Sequence, residues 1–382
     1  MREPRPGPLA GVRVFDLTLW MVGPWAGQQL GALGADVLHV ERPGTPPGRL
    51  GNVPPDVAGT SAGYLAWNMN KRGLGLNLKD PAHVQAGLDI AAQCDVFLVN
   101  MRPGVADRLG LGYEAVRARH PGVVYCDING WGHEGPMAAS PGSDGVIQGY
   151  CGFWSLNGQD GEFYRHYTQL DASTGNLVVL GVLAALHHQR RTGEGQCIRI
   201  SMLKAAMTVQ AVPLALTLAG EKLRPRGGQS QLTAPDDIYT TADGLHLGIS
   251  VTDDAQWRGL CRALDRPGLQ AEFGTNAVRL ASPALGEQVR AAIAANTRPY
   301  WLWRLRAERV PHAYPLTFDE LKHHAGVHAL GLLPTVPTPS WGPLTTGGSP
   351  WRFGRHATSW TAPPLAGEHT AEIGAEFGVR LP

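Results

Sequence analysis

Between Val12 and Ile128, short β-branched runs alternate with segments of helical spacing, and this alternation limits the possible folds more than any other feature. Val12–Leu17 reads as a strand, Trp25–Leu33 as a helix entered through Gly23-Pro24, and Ala35–Glu41 as a second strand stopped by Arg42-Pro43-Gly44. The pattern recurs with Ala82–Gln93 as helix, Asp95–Asn100 as strand, Val105–Arg119 as helix and Val123–Ile128 as strand. Strands joined through crossover helices pair in parallel with right-handed connections, and a run of such units makes an open α/β sheet. Ligands of doubly wound sheets lie beyond the carboxyl ends of the strands. Three loops leave such ends, at 18–24, 41–44 and 100–104, and the last two carry Arg42 and Arg102. Their chemistry suits an anionic ligand such as a nucleotide phosphate.

Farther along, Leu177, Leu180, Gly181 and Ala184 share one helical face, and the helix is expected to start near Thr174. The apolar stretch Leu177–Leu186 is too short to span a bilayer and is expected to break at Gly181. Thr192–Gln196 reads as a turn and Cys197–Ser201 as a strand. After Leu216 the chain turns polar and Gly-rich. A hairpin about Ala242-Asp243-Gly244, then helical spacing over Ala255–Leu264 and Leu285–Asn296, predicts a smaller α/β lobe over residues 222–320.

Of the 382 residues, 43% are hydrophobic and 17% charged, which supplies a sizeable core and argues against disorder. Lys and Arg number 33 against 32 Asp and Glu, so bulk charge attracts neither nucleic acid nor an anionic membrane. The five cysteines are scattered, with no C-x-x-C, and predict free thiols and no zinc site. Met1–Pro8 holds charge and proline where a signal peptide needs an apolar run, so the expected location is the cytoplasm.

The glycines after the first strand stand at 23, 27, 31 and 34, which excludes the dinucleotide fingerprint. Gly59-Thr60-Ser61-Ala62-Gly63 spells a nucleophile elbow, but Val53-Pro54-Pro55-Asp56 precedes it instead of a strand, so it reads as a surface loop. His323, His324 and His328 lack the acid of a zinc helix and read as solvated. Asp171 has two readings. It is a good N-cap for the helix expected near Thr174. It is also an ionised carboxylate beside the small residues Ala172, Ser173 and Gly175, within reach of a ligand as a nucleophile.

Ordered segments along nearly the whole chain resemble the family III CoA-transferases, the group of formyl-CoA transferase, carnitine CoA-transferase and the α-methylacyl-CoA racemases. They include Gly11-Val-Arg-Val-Phe-Asp-Leu-Thr18, Leu33-Gly-Ala-Asp-Val-Leu-His-Val-Glu-Arg-Pro-Gly44, Asn70-Lys-Arg72, Leu76-Asn-Leu-Lys79 and Asn100-Met-Arg-Pro-Gly104. Asp107-Arg-Leu-Gly-Leu-Gly112, Gly130-Trp-Gly132, Arg191-Thr-Gly-Glu-Gly-Gln196 and Leu365-Ala-Gly-Glu-His-Thr370 continue the series. The resemblance implies a Rossmann-like large domain over 1–221, completed by 321–382, with the small domain over 222–320 between. It also implies an interlocked homodimer, and acyl-CoA and a small carboxylic acid as substrates, with no tightly bound cofactor, metal, nucleic acid or membrane.

Position by position, the resemblance makes Asp171 the catalytic nucleophile. It assigns Arg42, Leu76, Lys79, Asn100, Met101 and Arg108 to CoA, and Trp20 and Met21 to the channel near the thioester. Trp20 departs from the family's smaller residue and is expected to reshape the acyl pocket, and Met101 stands where an aromatic is common. Gly227-Gly228-Gln229 corresponds to a mobile glycine loop in some members. Two alternatives stay open. A racemase would need a histidine where Gly142-Ser143-Asp144 stands, with His133 or His166 as substitutes; a non-catalytic CoA-binding homologue is the other.

Overall fold

The structure is a computed structural model. It describes every residue except 1–4, 45–55, 58, 157, 159–161, 226, 228, 357 and 382. The chain divides into two compact units, Met1–Cys151 with His166–Ala211 and Ala325–Pro382, and Gly152–Arg165 with Val212–His324.

The first unit is built on six parallel strands: β1 Arg13–Leu17, β2 Asp36–Glu41, β3 Lys71–Gly75, β4 Val96–Val99, β5 Val124–Asn129 and β6 Gln196–Ser201. Their order across the sheet is β3-β2-β1-β4-β5-β6, so the chain winds outward from β1, returns beside it, and winds outward the other way. Helices α1 Val22–Ala32, α2 Pro81–Ala91, α3 Tyr113–Arg119, α4 Asp144–Tyr150, α5 Gln169–Thr192 and α6 Met202–Val209 supply the flanking layers.

Side chains alternate across each strand, so successive residues enter different cores. Val14, Val37, Leu98 and Cys126 pack under Leu30 of α1, Val178 and Val182 of α5 and Ala206 of α6. Phe15, Leu38, Phe97 and Tyr125 pack on the other face with Ile90, Val116 and Phe377. Phe15, Phe97 and Tyr125 stack across three strands with centroids 4.9 Å apart. Burial on both faces explains why the strands read as nearly continuous apolar runs.

Two expected helix boundaries are corrected. The segment 105–119 is two helices, Val105–Arg108 and α3, separated by a loop in which Gly110 has φ +77°. Helix α5 runs unbroken through Gly181 for 24 residues, starting at Gln169 and not near Thr174. A mid-helix glycine costs about 1 kcal/mol, and tertiary packing outweighs that here. By length and composition α5 could cross a membrane; in the first unit its buried face packs on α1, β5 and α6.

The second unit carries a three-stranded antiparallel sheet, His312–Ala313, His246–Ser250 and Asp236–Thr240, with helices Asp254–Ala263, Pro283–Ile293 and Arg298–Ala307. Trp257, Tyr239, Leu260, Trp301 and Leu305 form its core.

Candidate active site

Parallel strands bring all their carboxyl ends to one edge. The connections after β1 and β4, neighbours in the sheet, leave toward opposite faces: α1 packs in the Leu30 core, and the chain after β4 leads to α3 in the Val116 core. This divergence is the topological switch point, where a doubly wound sheet opens a crevice. A cavity of about 580 Å³ opens there, lined by Leu19, Met101, Arg102, Pro103, Val105, Arg108, Leu109, Ala138 and Ala139. An apolar bed with two guanidinium groups suits a phosphorylated ligand with a hydrophobic body.

The carboxyl edge carries every residue named from the resemblance to CoA-binding sites. Arg42 is exposed just past β2, and Lys79 is exposed beyond β3. Leu76, also past β3, is fully buried in the core, so only its backbone could meet a ligand. Met101 and Arg108 meet in the cavity. Met21 is the N-cap of α1. The Asn100 side chain is engaged within the protein. Its Oδ1 accepts the Leu19 N–H at 2.8 Å and its Nδ2 donates to the Leu19 carbonyl at 2.5 Å, so its side-chain amide clips the loop after β1. Next to that clip, Trp20 is 61% exposed and holds φ +67°.

Beneath the loop lies a buried ionic network. Lys71 Nζ donates to Asp16 Oδ2 at 2.8 Å and to Asn68 Oδ1 at 2.9 Å, and His39 Nδ1 lies 3.3 Å from Asp16 Oδ2. Asp16 also accepts the Thr18 N–H at 3.1 Å and the Thr18 hydroxyl. Burial pushes the Asp16 carboxyl up, but Lys71 and His39 more than reverse this and hold it well below the usual carboxylate range. Burial lowers the Lys71 ammonium against the pull of Asp16. Helix α1 crosses closely above: a Cβ on Gly27 would stand 2.7 Å from Asp16 Oδ2 and 3.2 Å from Lys71 Nζ, so this crossing requires glycine.

Asp171 is half-buried in the first turn of α5 and is not its N-cap. That position belongs to Thr168, which has φ +50° and makes no capping hydrogen bond. The buried carboxylate of Asp144 does the capping, with Oδ2 accepting the Leu170 and Asp171 N–H groups at 3.0 Å each. Gln148 Nε2 donates to Asp144 Oδ1 at 2.6 Å, and the same amide holds both backbone groups of His166, at 2.8 and 3.1 Å. One turn past Asp171, a Cβ on Gly175 would lie 2.9 Å from the Val22 carbonyl and 2.7 Å from Trp25. That close approach brings the start of α5 to the start of α1, and so Asp171 to the corner that carries Trp20 and Met21.

The remaining sequence candidates resolve as follows. Ser61 ends a two-residue strand with φ −60°, so it lacks the strained apex of a nucleophile elbow. No metal-binding group of three or more His, Cys, Asp or Glu occurs among the described residues. Gly228 lies outside the described residues. His133 Nε2 pairs with Asp127 Oδ2 at 2.7 Å. Burial raises the Asp127 carboxyl, and His133 and Arg199 oppose that rise. Ser143 is exposed, and Asp144 beside it is committed to the helix cap. In a cavity of about 510 Å³ in the second unit, the Asp237 carboxylate accepts from Arg290 and from Gln229 at 2.9 Å each.

Sequence reasoning passed over Asp144 as a functional residue. Asp144 gave no local signal, because it caps a helix that begins 25 residues later.

A model of CoA-transferase family III matches residues 9–370. The chain belongs to CoA-transferase family III. Succinyl-CoA:glutarate CoA-transferase of Mus musculus is 32% identical over 373 residues, spanning 96% of this chain and 85% of that protein. Formyl-CoA:oxalate CoA-transferase of Streptomyces coelicolor is 31% identical over 390 residues, spanning 96% and 94%. Among solved structures, an aspartate-to-alanine mutant of Rv3272 from Mycobacterium tuberculosis superposes with TM-score 0.86 at 28% identity, covering 97% of this chain and 99% of that one. The family III assignment makes the protein a CoA-transferase acting on CoA thioesters, with the α/β fold and six-stranded parallel sheet described above.

Proposed function

We propose that the protein moves CoA from an acyl-CoA donor to a free carboxylic acid, with Asp171 as the nucleophile. One observation carries this reading: Asp171 stands in the first turn of α5, which the close approach at Gly175 brings to the start of α1 and the loop after β1, while Asp144 caps its helix. Asp171 is therefore not needed as a cap, and it stands at the positive end of a 24-residue helix.

The Asp171 carboxylate attacks the donor thioester carbonyl and expels CoA thiolate, leaving an aspartyl–acyl anhydride. The thiolate attacks the aspartyl carbonyl of that anhydride and releases the donor acid, leaving an aspartyl-CoA thioester. The acceptor carboxylate attacks this thioester and expels the thiolate again. The thiolate then takes the acceptor acyl group, and Asp171 is regenerated. No step needs a proton acceptor, so the demand on the site is positioning and charge stabilisation.

Arg102 and Arg108 meet the phosphates of CoA in this reading, with Arg42 and Lys79 farther along the edge. Dicarboxylic acids are the first acceptors to assay, since the relatives are named for glutarate and oxalate. The active form is a homodimer: Leu180 on α5 and Leu218 in the second unit are large apolar side chains left exposed in the single chain. The test is a matrix of acyl-CoA donors against carboxylic acid acceptors, read by mass spectrometry. The reading expects CoA exchange for at least one pair, and exchange for none overturns it.

A further inference from the structure

Trp20 is a residue that folding alone does not explain. A bulky aromatic with φ +67° occupies backbone space that sterically favours glycine. Packing does not hold it there, because 61% of its surface is exposed. Strain of this kind persists only where neighbours over-determine the conformation, and it gathers at functional sites. The neighbours do so here on both sides. Before Trp20, both backbone polar groups of Leu19 are tied to Asn100, at 2.8 and 2.5 Å. The Thr18 N–H is tied to Asp16, which is itself fixed by Lys71 at 2.8 Å. After Trp20, the Met21 carbonyl accepts the Trp25 N–H at 2.7 Å as α1 begins. Leu19 lines the crevice, and Gly175 of α5 abuts the Val22 carbonyl one turn from Asp171.

From this arrangement we infer that Trp20 is the specificity-determining wall of the acyl site, limiting the length of acyl group admitted beside Asp171. Asn100 is a positioning residue that acts through Trp20 and not by touching the nucleotide. The inference rests on the CoA-transfer reading above. It separates two functions on one edge: the Arg102–Arg108 crevice takes the nucleotide, and the clipped Leu19-Trp20-Met21 loop measures the acyl chain. An exposed indole face suits an apolar chain, and a rigid wall excludes chains that reach past it. Asn100 uses its one amide to hold both the N–H and the C=O of a single residue, Leu19, on either side of its Cα, so truncation frees the loop without removing any charge.

The experiment measures binding of unreactive S-alkyl-CoA thioethers of two, four, six and eight carbons by calorimetry. It compares the parent with Trp20→Gly, Trp20→Phe, Asn100→Ala and the Trp20→Gly/Asn100→Ala pair. The parent is expected to prefer the two-carbon over the eight-carbon ligand by about tenfold or more. Trp20→Gly, which tolerates positive φ, should erase the preference while melting no lower than the parent. Trp20→Phe should keep most of the preference, and Asn100→Ala should weaken it while melting lower. The pair should show the same chain-length profile as Trp20→Gly alone.

A parent without a preference, or a folded Trp20→Gly that keeps it, overturns the wall. Should Trp20→Gly fail to fold, the Asn100→Ala profile decides. An Asn100→Ala variant that binds every thioether and free CoA equally more weakly, with the preference intact, makes Asn100 a nucleotide ligand and overturns its positioning role. A parent that binds no CoA compound at all refutes the functional reading and this inference together. A parent that shows the length preference yet exchanges CoA with no acid refutes only the reading.

Discussion

Removing the Asp144 carboxylate should destabilise the first turn of α5 out of proportion to the size of the change. That carboxylate accepts two backbone N–H groups and one side-chain amide, all within 3.0 Å. A net hydrogen bond to a charged group contributes about 1.5–3 kcal/mol, and an anion at a partly buried helix start up to about 2 kcal/mol, partly the same energy counted twice. Leu170 is fully buried, so water cannot readily replace the lost acceptor at its N–H. The sum for Asp144→Ala is about 3–5 kcal/mol. At about 2–4 °C per kcal/mol, that lowers the melting temperature by about 6–20 °C.

Asp144→Asn keeps one oxygen for the helix but turns an NH2 toward Gln148 Nε2. Gln148 cannot flip without breaking both of its bonds to His166. The Asn variant should therefore lose about 1–2 kcal/mol. Thermal melts give the totals, and amide hydrogen exchange at Leu170 and Asp171 locates the change. An Asp144→Ala protein that melts with the parent, or whose two amides stay protected, refutes the capping argument.

Lys71→Met strands Asp16 as a buried unpaired charge and should cost about 3–5 kcal/mol, whereas Asp16→Asn with Lys71→Met should cost less than the two single changes added. The sign with pH follows from Asp16. Its folded pKa lies below the unfolded value, so in the parent its stabilisation is present above the ordinary carboxylate range and is lost only as pH falls through the folded value. In Lys71→Met, burial acts without the Lys71 pull and the carboxyl rises, so the deficit against the parent should shrink as acid protonates it; denaturant melts across pH check this. Arg102→Ala and Arg108→Ala should each weaken CoA binding by about 1–3 kcal/mol and flatten its salt dependence in calorimetry. Gly175→Ala should cost about 1–3 kcal/mol in unfolding, because its Cβ meets backbone at Val22 that cannot move aside.

The sheet was legible because parallel strands buried on both faces announce themselves as apolar runs between helical spacings, and β1, β2, β4 and β5 stand within two residues of their expected places. Edge strand β3 was not marked as a strand from Asn70-Lys71-Arg72, since its buried Lys71 and Arg72 look like surface charge. Arg72 is in fact enclosed by Asp36, Glu372 and Glu376, the last two about 300 residues away in sequence. The same non-locality hid the cap: Asp171 read as N-cap because a local rule had no access to Asp144. The bonds from Asn100 to Leu19 cross 81 residues and were equally out of reach of a local reading. Composition and spacing report what a residue can do; what it bonds depends on which strands become neighbours.

Asp171 itself gives the most direct test of the account. The parent is incubated with its acyl-CoA donor, treated with hydroxylamine, digested and read by mass spectrometry, beside Asp171→Asn handled the same way. Because Asp144 supplies the cap, the Asn variant should melt with the parent and still bind CoA. It should show no exchange, since an amide does not attack a thioester at a useful rate. The account predicts a hydroxamate on the parent peptide containing Asp171 and none on the variant; CoA exchange at the parent rate by Asp171→Asn, or a hydroxamate on any other residue in its place, would contradict it.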